Sequence, residues 1–320
     1  MKVLTFLGYG RSLTIFKRFV NTAPAYVKHQ NDVFTAEANR QMHNVGRIEK
    51  VEISYDGLPE KATLYMNRNI STPHDVALHI SQFVAGRSAL AIVDNQTPWD
   101  MHRPFEESCH LNFLGFNDSD PYLVNKAFWK SCSFLLGAVI NTAFSDHIKV
   151  TLHSFPSPQI TSGSFLYDAS LSLDDWNPTK NELRVLSAEM AKLVNQSLPF
   201  ERLQVSEEMA KEIFSDNKFK LQQIPNIANK SDGHITLYRV GTHIDISKGP
   251  LVGNSSFIGR CTIAAVHKIE SEDGVLFRFQ GVALPKGLLL NQFAYKIIEE
   301  RAAKLNKSTF TEPSLEEQLA

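Results

Sequence analysis

Between Asp120 and Phe144 the sequence carries its longest helical pattern. Asp120-Pro121 opens it, and Val124, Phe128, Leu135 and Val139 mark one buried side. A helix of this kind is stable only against other elements, and its surroundings lack the regular strand–helix alternation of a parallel sheet. Strand patterns follow at 150–155 and 164–171, then at 235–240, 243–246, 262–269 and 275–282. Thr179-Lys180-Asn181-Glu182 is a capping box before a helix carrying Leu183, Leu186, Met190, Leu193 and Val194. Ser206 caps another with Ile213 and Phe214, and a last helix is expected from Asn291 to about Leu305. The class is α+β. No run of about 18 apolar residues occurs, so no membrane span is expected.

The preceding stretch reads as a smaller unit. Val51, Ile53 and Tyr55 alternate, Asp56-Gly57 turns the chain, and Ala62, Leu64 and Met66 alternate again, which predicts a hairpin. In Ser71-Thr72-Pro73-His74-Asp75, Thr72 is the expected cap, Pro73 suits the first helical position, and Asp75 complements the positive end. Val76, Ala77, Ile80 and Val84 give that helix its apolar face, and Gly86 ends it. A strand at Ala89–Val93, a turn at Asp94-Asn95-Gln96 and a closing strand at Leu111, Phe113 and Leu114 complete a β-grasp, ubiquitin-like order.

Charge is unevenly spread. Lys2, Arg11, Lys17, Arg18 and Lys28 precede the first acid, Asp32, and apolar residues are interleaved with them. This is the pattern of a mitochondrial transit peptide, expected over residues 1–31. Gly8-Tyr9-Gly10 lacks a preceding strand and a third glycine, so it has no expected nucleotide role. The whole chain has a net charge of −1; without those 31 residues, 28 bases face 34 acids. Bulk charge therefore cannot hold RNA, and any RNA contact must be local, with protein partners supplying the rest. Cys109, Cys132 and Cys261 are too few and too scattered for a disulfide framework or a thiolate metal cage. Residues 32–47 read as a linking helix or arm, and 307–320, rich in Ser, Thr, Pro and Glu, as a disordered tail.

The order of elements resembles the N-terminal half of threonyl-tRNA synthetase. Residues 48–117 look like its TGS domain, with Ser71–Ala77 matching the helix start. Residues 118–290 look like its second additional domain, which also occurs in alanyl-tRNA synthetase and in free-standing editing enzymes. The C-terminal helix is placed at 291–306. Ser131-Cys132-Ser133-Phe134-Leu135-Leu136-Gly137 resembles the family's long-helix motif, and Gly163-Ser164-Phe165-Leu166-Tyr167-Asp168 its Gly-aromatic-Tyr-Asp strand. Ile244-Asp245-Ile246-Ser247-Lys248-Gly249-Pro250 resembles the strand and turn before its Cys-x-Gly-Pro-His. With the basic start, and with Met66–Pro73, Thr97–Met101, Val124–Trp129 and Phe279–Val282, the chain also resembles the mitochondrial large-subunit ribosomal protein 39 family.

The editing chemistry of the first resemblance does not carry over. Where that family has His-x-x-x-His and, later, Cys and His, this chain has Lys130, Phe134, Ser247 and Leu251. A charged ammonium accepts no proton and binds no metal, and Phe and Leu have no lone pairs. No catalytic, cofactor or metal residue is therefore expected. The cleft around Phe134 and Leu251 is expected to leave an apolar docking face. His243 reads as structural or exposed. His74, His79, His147 and His153 show no paired ligand spacing, and Cys109-His110 in a strand would point to opposite faces. Trp99 and Trp129 read as packed rather than base-stacking residues. Lys218, Lys220, Lys286, Lys296, Arg301 and Lys304 read as solvated, with the Lys296–Lys307 segment the preferred RNA-facing candidate.

What the second resemblance implies is a structural, non-enzymatic component of the mitochondrial ribosome's large subunit, in the matrix. Its partners would be large-subunit proteins and, through limited contacts, rRNA, with no small-molecule substrate. After residue 305 too little chain follows for an aminoacylation core. The rival readings are a free-standing deacylase of mischarged tRNA and a TGS-containing regulator. The second is disfavoured by the lack of a phosphate-cradling Gly-rich loop.

Overall fold

The computed structural model describes residues 24–173 and 175–308. Most of the expected transit peptide and of the expected tail thus lies outside the described residues. The first described element, Ala25–His43 (α1), is a helix with Val27, Gln30, Phe34 and Glu37 buried. Phe34 packs with Leu203, Ile235, Leu237 and Ile244 of the body, and Asn31 donates to Thr242 O at 2.8 Å. The helix runs through the boundary expected at residue 31.

Lys50–Tyr55 (β1) and Ala62–Asn67 (β2) form the expected hairpin, with Ile53 opposite Leu64. Pro73–Ile80 (α2) starts on the Thr72–Asp75 capping box and stops at Ser81, which caps Gln82–Arg87 (α3). The single helix expected to Gly86 is two, because the Ser81 hydroxyl takes the Val84 N–H at 3.1 Å. Leu90–Val93 (β3), Thr97–Trp99 (β4) and Cys109–Leu114 (β5) complete a sheet of order β2-β1-β5-β3-β4, with β1 and β5 parallel. That order is the β-grasp. Asp94 and Asn95, both at positive φ, make the tight β3–β4 turn. The unexpected β4 contains Pro98, tolerated because this strand is the sheet's edge.

Tyr122–Ala143 (α4) is the axis of the second region. By length and composition it could cross a bilayer, but 72% of its most apolar 18-residue window is buried inside the fold. Against it lies an antiparallel sheet built from Val150–Ser154 (β6), Phe165–Leu171 (β7), Ile258–Ser271 (β11) and Gly274–Pro285 (β12), in the order β11-β12-β7-β6. Lys180–Asn195 (α5) starts on the Thr179–Glu182 capping box and buries Leu186, Met190 and Val194. Glu201–Ser206 (β8), His234–Val240 (β9) and His243–Ile246 (β10) form a second sheet, packed by α1, Glu207–Ile213 (α6) and Lys218–Asn229 (α7). Gln292–Ala302 (α8) is capped by Asn291, and the chain beyond it returns to the sheet. There Arg278 holds Asp168 by two bonds of 2.9 and 2.8 Å and also donates to Asn306 O at 2.6 Å.

At Gly137 a β-carbon would fall 2.6 Å from the Tyr167 ring, itself fully buried. Glycine inside a helix ordinarily destabilises by about 0.5–1 kcal/mol relative to alanine. Overpacking of a buried site costs about 1–3 kcal/mol, so the clash outweighs the helix gain. Gly137→Ala is expected to lower the midpoint of urea unfolding; an unchanged or raised midpoint would show that Tyr167 yields freely.

Candidate functional site

The middle of α4 meets the turn after β10, and this juxtaposition gathers the four positions singled out above. Lys130 Nζ donates to Gly249 O. Gly249 has φ +69°, and a β-carbon there would lie 1.9 Å from the Tyr238 hydroxyl, so only glycine fits. Ser247 Oγ accepts from Gly249 N at 3.2 Å, and Ser131 Oγ accepts from Val252 N at 2.9 Å. Phe134 and Leu251 are buried. The Phe134 ring packs edge-on against His243, Phe200 and Tyr238 at 5.0, 5.9 and 6.3 Å between centroids. The apolar docking face expected at Phe134 and Leu251 is therefore interior, because the surrounding rings fill the space.

A carboxylate from the β-grasp unit completes the region. Asp100, just after β4, is buried and accepts the Tyr238 hydroxyl at 2.8 Å and the Leu251 N–H at 2.8 Å. Arg202 stands 3.8 Å away. Burial raises the Asp100 pKa, against the opposing pull of the Leu251 N–H, Tyr238, Arg202 and Lys130. Two residues on, His102 Nε2 pairs with Gly253 O at 2.9 Å, and burial lowers its pKa. Asp100 and His102 thereby tie the β-grasp unit to the second region. No local pattern marks Asp100, since its partners are about 140 and 150 residues away.

Deeper in, Lys220 Nζ and the Tyr167 hydroxyl converge on Asp245, each at 2.5 Å. Lys220 was expected at the surface and is instead 2% exposed, because α7 turns it inward onto that carboxylate. His243 is also buried, its Nε2 has no hydrogen-bond partner among the described residues, and burial pushes its pKa down to about 4. Lys220, His243 and Asp245 line the floor of a cleft of about 480 Å³, walled by Tyr26, Asn141 and Asp216. Tyr26 donates to Asn141 Oδ1 at 3.4 Å, so the start of α1 lies across one wall.

The other residues considered above are engaged elsewhere. Arg301 donates to Thr161 O, and Lys296 stands 3.7 Å from Glu300 on the exposed face of α8. Trp99 donates to Arg103 O with the Arg103 guanidinium 3.5 Å over its ring, and Trp129 packs on Phe165. His153 pairs with Asp273 at 2.9 Å. Burial raises the Cys109 and Cys261 thiols to about 11 and also raises the Cys132 thiol, which disfavours the thiolate. Among the described residues, no group of three or more His, Cys, Asp or Glu side chains is placed to hold a metal. Lys130 is bonded to a carbonyl and burial lowers its pKa to about 8, while the packed phenyl ring of Phe134 and the buried Leu251 carry no group that accepts a proton.

No protein-family model matches the chain. The large ribosomal subunit protein mL39 of Drosophila melanogaster is 50% identical over 296 residues, covering 92% of this chain and 89% of that protein. The probable cytoplasmic threonine–tRNA ligase 1 of Dictyostelium discoideum is 26% identical over 268 residues, 82% of this chain but 35% of the ligase. The mitochondrial threonine–tRNA ligase 1 of Arabidopsis thaliana is 31% identical over 231 residues, 70% of this chain and 30% of the ligase. The chain thus spans about a third of the ligases it matches.

His243 gives the site a pH signature. Its pKa falls from 6.5 to about 4 on folding, so between those values the unfolded chain binds the extra proton. Stability from this group is complete above pH 6.5 and is lost as pH falls toward 4, by on the order of 3 kcal/mol at most. His243→Phe retains a ring against Phe134 and removes the titration. Urea unfolding at pH 7 and pH 5 is expected to show a larger loss for the wild type than for the variant; equal losses would refute this.

Proposed function

The chain belongs to the mL39 family of large ribosomal subunit proteins, and from that membership we propose that it is a structural component of the mitochondrial ribosome's large subunit, supporting mitochondrial translation. The observation that carries this reading is identity at half of the aligned positions over nearly the full length of the Drosophila protein. The ligases support a threonyl-tRNA-synthetase-like scaffold only, since about two thirds of their length has no counterpart here. In this reading the scaffold performs no chemistry of its own. Lys130, Phe134, Ser247 and Leu251 serve packing and turn geometry.

The same reading divides the chain into a TGS-like unit at 48–117, an editing-domain-like unit at 118–290 and a C-terminal helix. The targeting leader ends ahead of Pro24 rather than at residue 31, because Val27 and Gln30 already belong to the packed body. Attachment is chiefly through neighbouring large-subunit proteins, with few and local rRNA contacts, since the chain past the leader is acidic overall.

One observation favours a deacylase instead: the cleft floored by Lys220, His243 and Asp245. The purified chain is expected to release no amino acid from mischarged tRNA above the rate without protein; clear, protein-dependent release would overturn the non-enzymatic reading. For the structural role, a C-terminally tagged chain expressed in cells should be recovered from the mitochondrial matrix, shortened ahead of Pro24. It should sediment with the large subunit through a high-salt wash. Recovery mainly as a free protein would sink the proposal.

A further inference from the structure

An acidic chain that meets RNA must do so where bases are gathered without counter-charges. In the α8 segment Lys296 already faces the Glu300 carboxylate at 3.7 Å. The α4 corner is the stronger candidate. Lys126 and Lys130 stand at i and i+4, so they share one helical face. Lys130 reaches the carbonyl of Gly249, the residue directly after Lys248. Three cationic side chains are thus collected around one turn, with Lys248 exposed and the other two half-buried.

The charges around this corner do not cancel. Asp100 is the acid that acts on Lys130, and it is buried, bonded to Tyr238 and Leu251, and shared with Arg202. His102, the other titratable group on that loop, is bonded to Gly253 O and held toward its neutral form. Burial lowers the Lys130 pKa to about 8, with Lys126 and Lys248 adding to the fall and Asp100 opposing it. A carbonyl occupies one of the three N–H donors of an ammonium. What this corner lacks is an anion with several acceptor oxygens and more than one negative charge.

We propose that Lys126, Lys130 and Lys248 form a binding site for a phosphoryl anion, either a backbone phosphate of RNA or free phosphate. Lysine is a compact point charge suited to phosphate. The proposal rests on the ribosomal reading only for the RNA source. Cosedimentation tests that reading without reference to Lys130, so the two can fail separately.

The test is the acylation rate of Lys130 in the full-length chain at pH 8, followed by peptide mass spectrometry. Inorganic phosphate is compared with chloride at equal ionic strength, and a short RNA hairpin with polyglutamate at equal charge. An anion that lifts the Lys130 pKa from about 8 to about 9 lowers its free-amine fraction at pH 8 about five-fold. Slowing of about that size is expected, and Lys126→Gln with Lys248→Gln should largely abolish it. Slowing by phosphate without RNA assigns the site to free phosphate; slowing by RNA assigns it to the nucleic-acid backbone. Overturning results are no slowing beyond the chloride and polyglutamate controls, or slowing that survives intact in the double variant.

Discussion

The all-round burial of α4 is the constraint from which the rest of the structure follows. From Ser131 to Ile140 every residue of this helix is buried, so no face remains for solvent. A helix in that position needs cover on all sides, which the β7–β12 sheet, α5 and the turn after β10 supply. It also needs every polar group satisfied. Ser131 donates to Ala127 O and accepts from Val252 N, and Ser133 accepts from Leu166 N. These serines join the helix to the turn on one side and to β7 on the other. Gly137 then lets the Tyr167 ring approach closely enough for its hydroxyl to reach Asp245.

The second constraint is the charge that this packing traps. Asp100 crosses from the β-grasp unit into the second region and is held there by a phenol, a backbone N–H and a guanidinium. An unpaired carboxylate at that depth would cost several kcal/mol, so the two units are locked in one arrangement. One unit alone would expose Asp100 and the other would lose the acceptor for Tyr238 and Leu251. The stapling therefore acts on orientation as much as on stability, which suits a protein whose surface must present partners with a fixed shape.

What was legible in the sequence was local. The Thr72–Asp75 and Thr179–Glu182 capping boxes are read from residues three apart, and both form as expected. The β1–β2 hairpin follows from alternation, and the β-grasp order follows from the elements it joins. Elements with mixed signals were missed. β8 carries Glu201, Arg202 and Gln204 among its six residues, and α7 contains Pro225 within the helix. The α1 segment was read by its bases rather than by the spacing of Val27 and Phe34. Lys220 was placed at the surface because its partner, Asp245, lies 25 residues further on and no local pattern links the two. Likewise, Asp100 looked ordinary until Tyr238 and Leu251 met it.

The cluster of Lys220, Asp245 and Tyr167 bears on how chemistry is inferred from a buried polar group. Perturbed, buried ionisable residues gather at active sites, but structural ion pairs produce the same signature. The two cases differ in what an incoming molecule could use. Both Asp245 oxygens are occupied here, one by Lys220 and the Ile246 N–H, the other by Tyr167. The hydrogen bonds and the ion pair are all made within the fold. Removing either partner would strand the other's charge, typically at a cost of about 3–5 kcal/mol. Such a pair persists for folding reasons whether or not a reaction occurs beside it. Its presence therefore does not argue for hydrolysis.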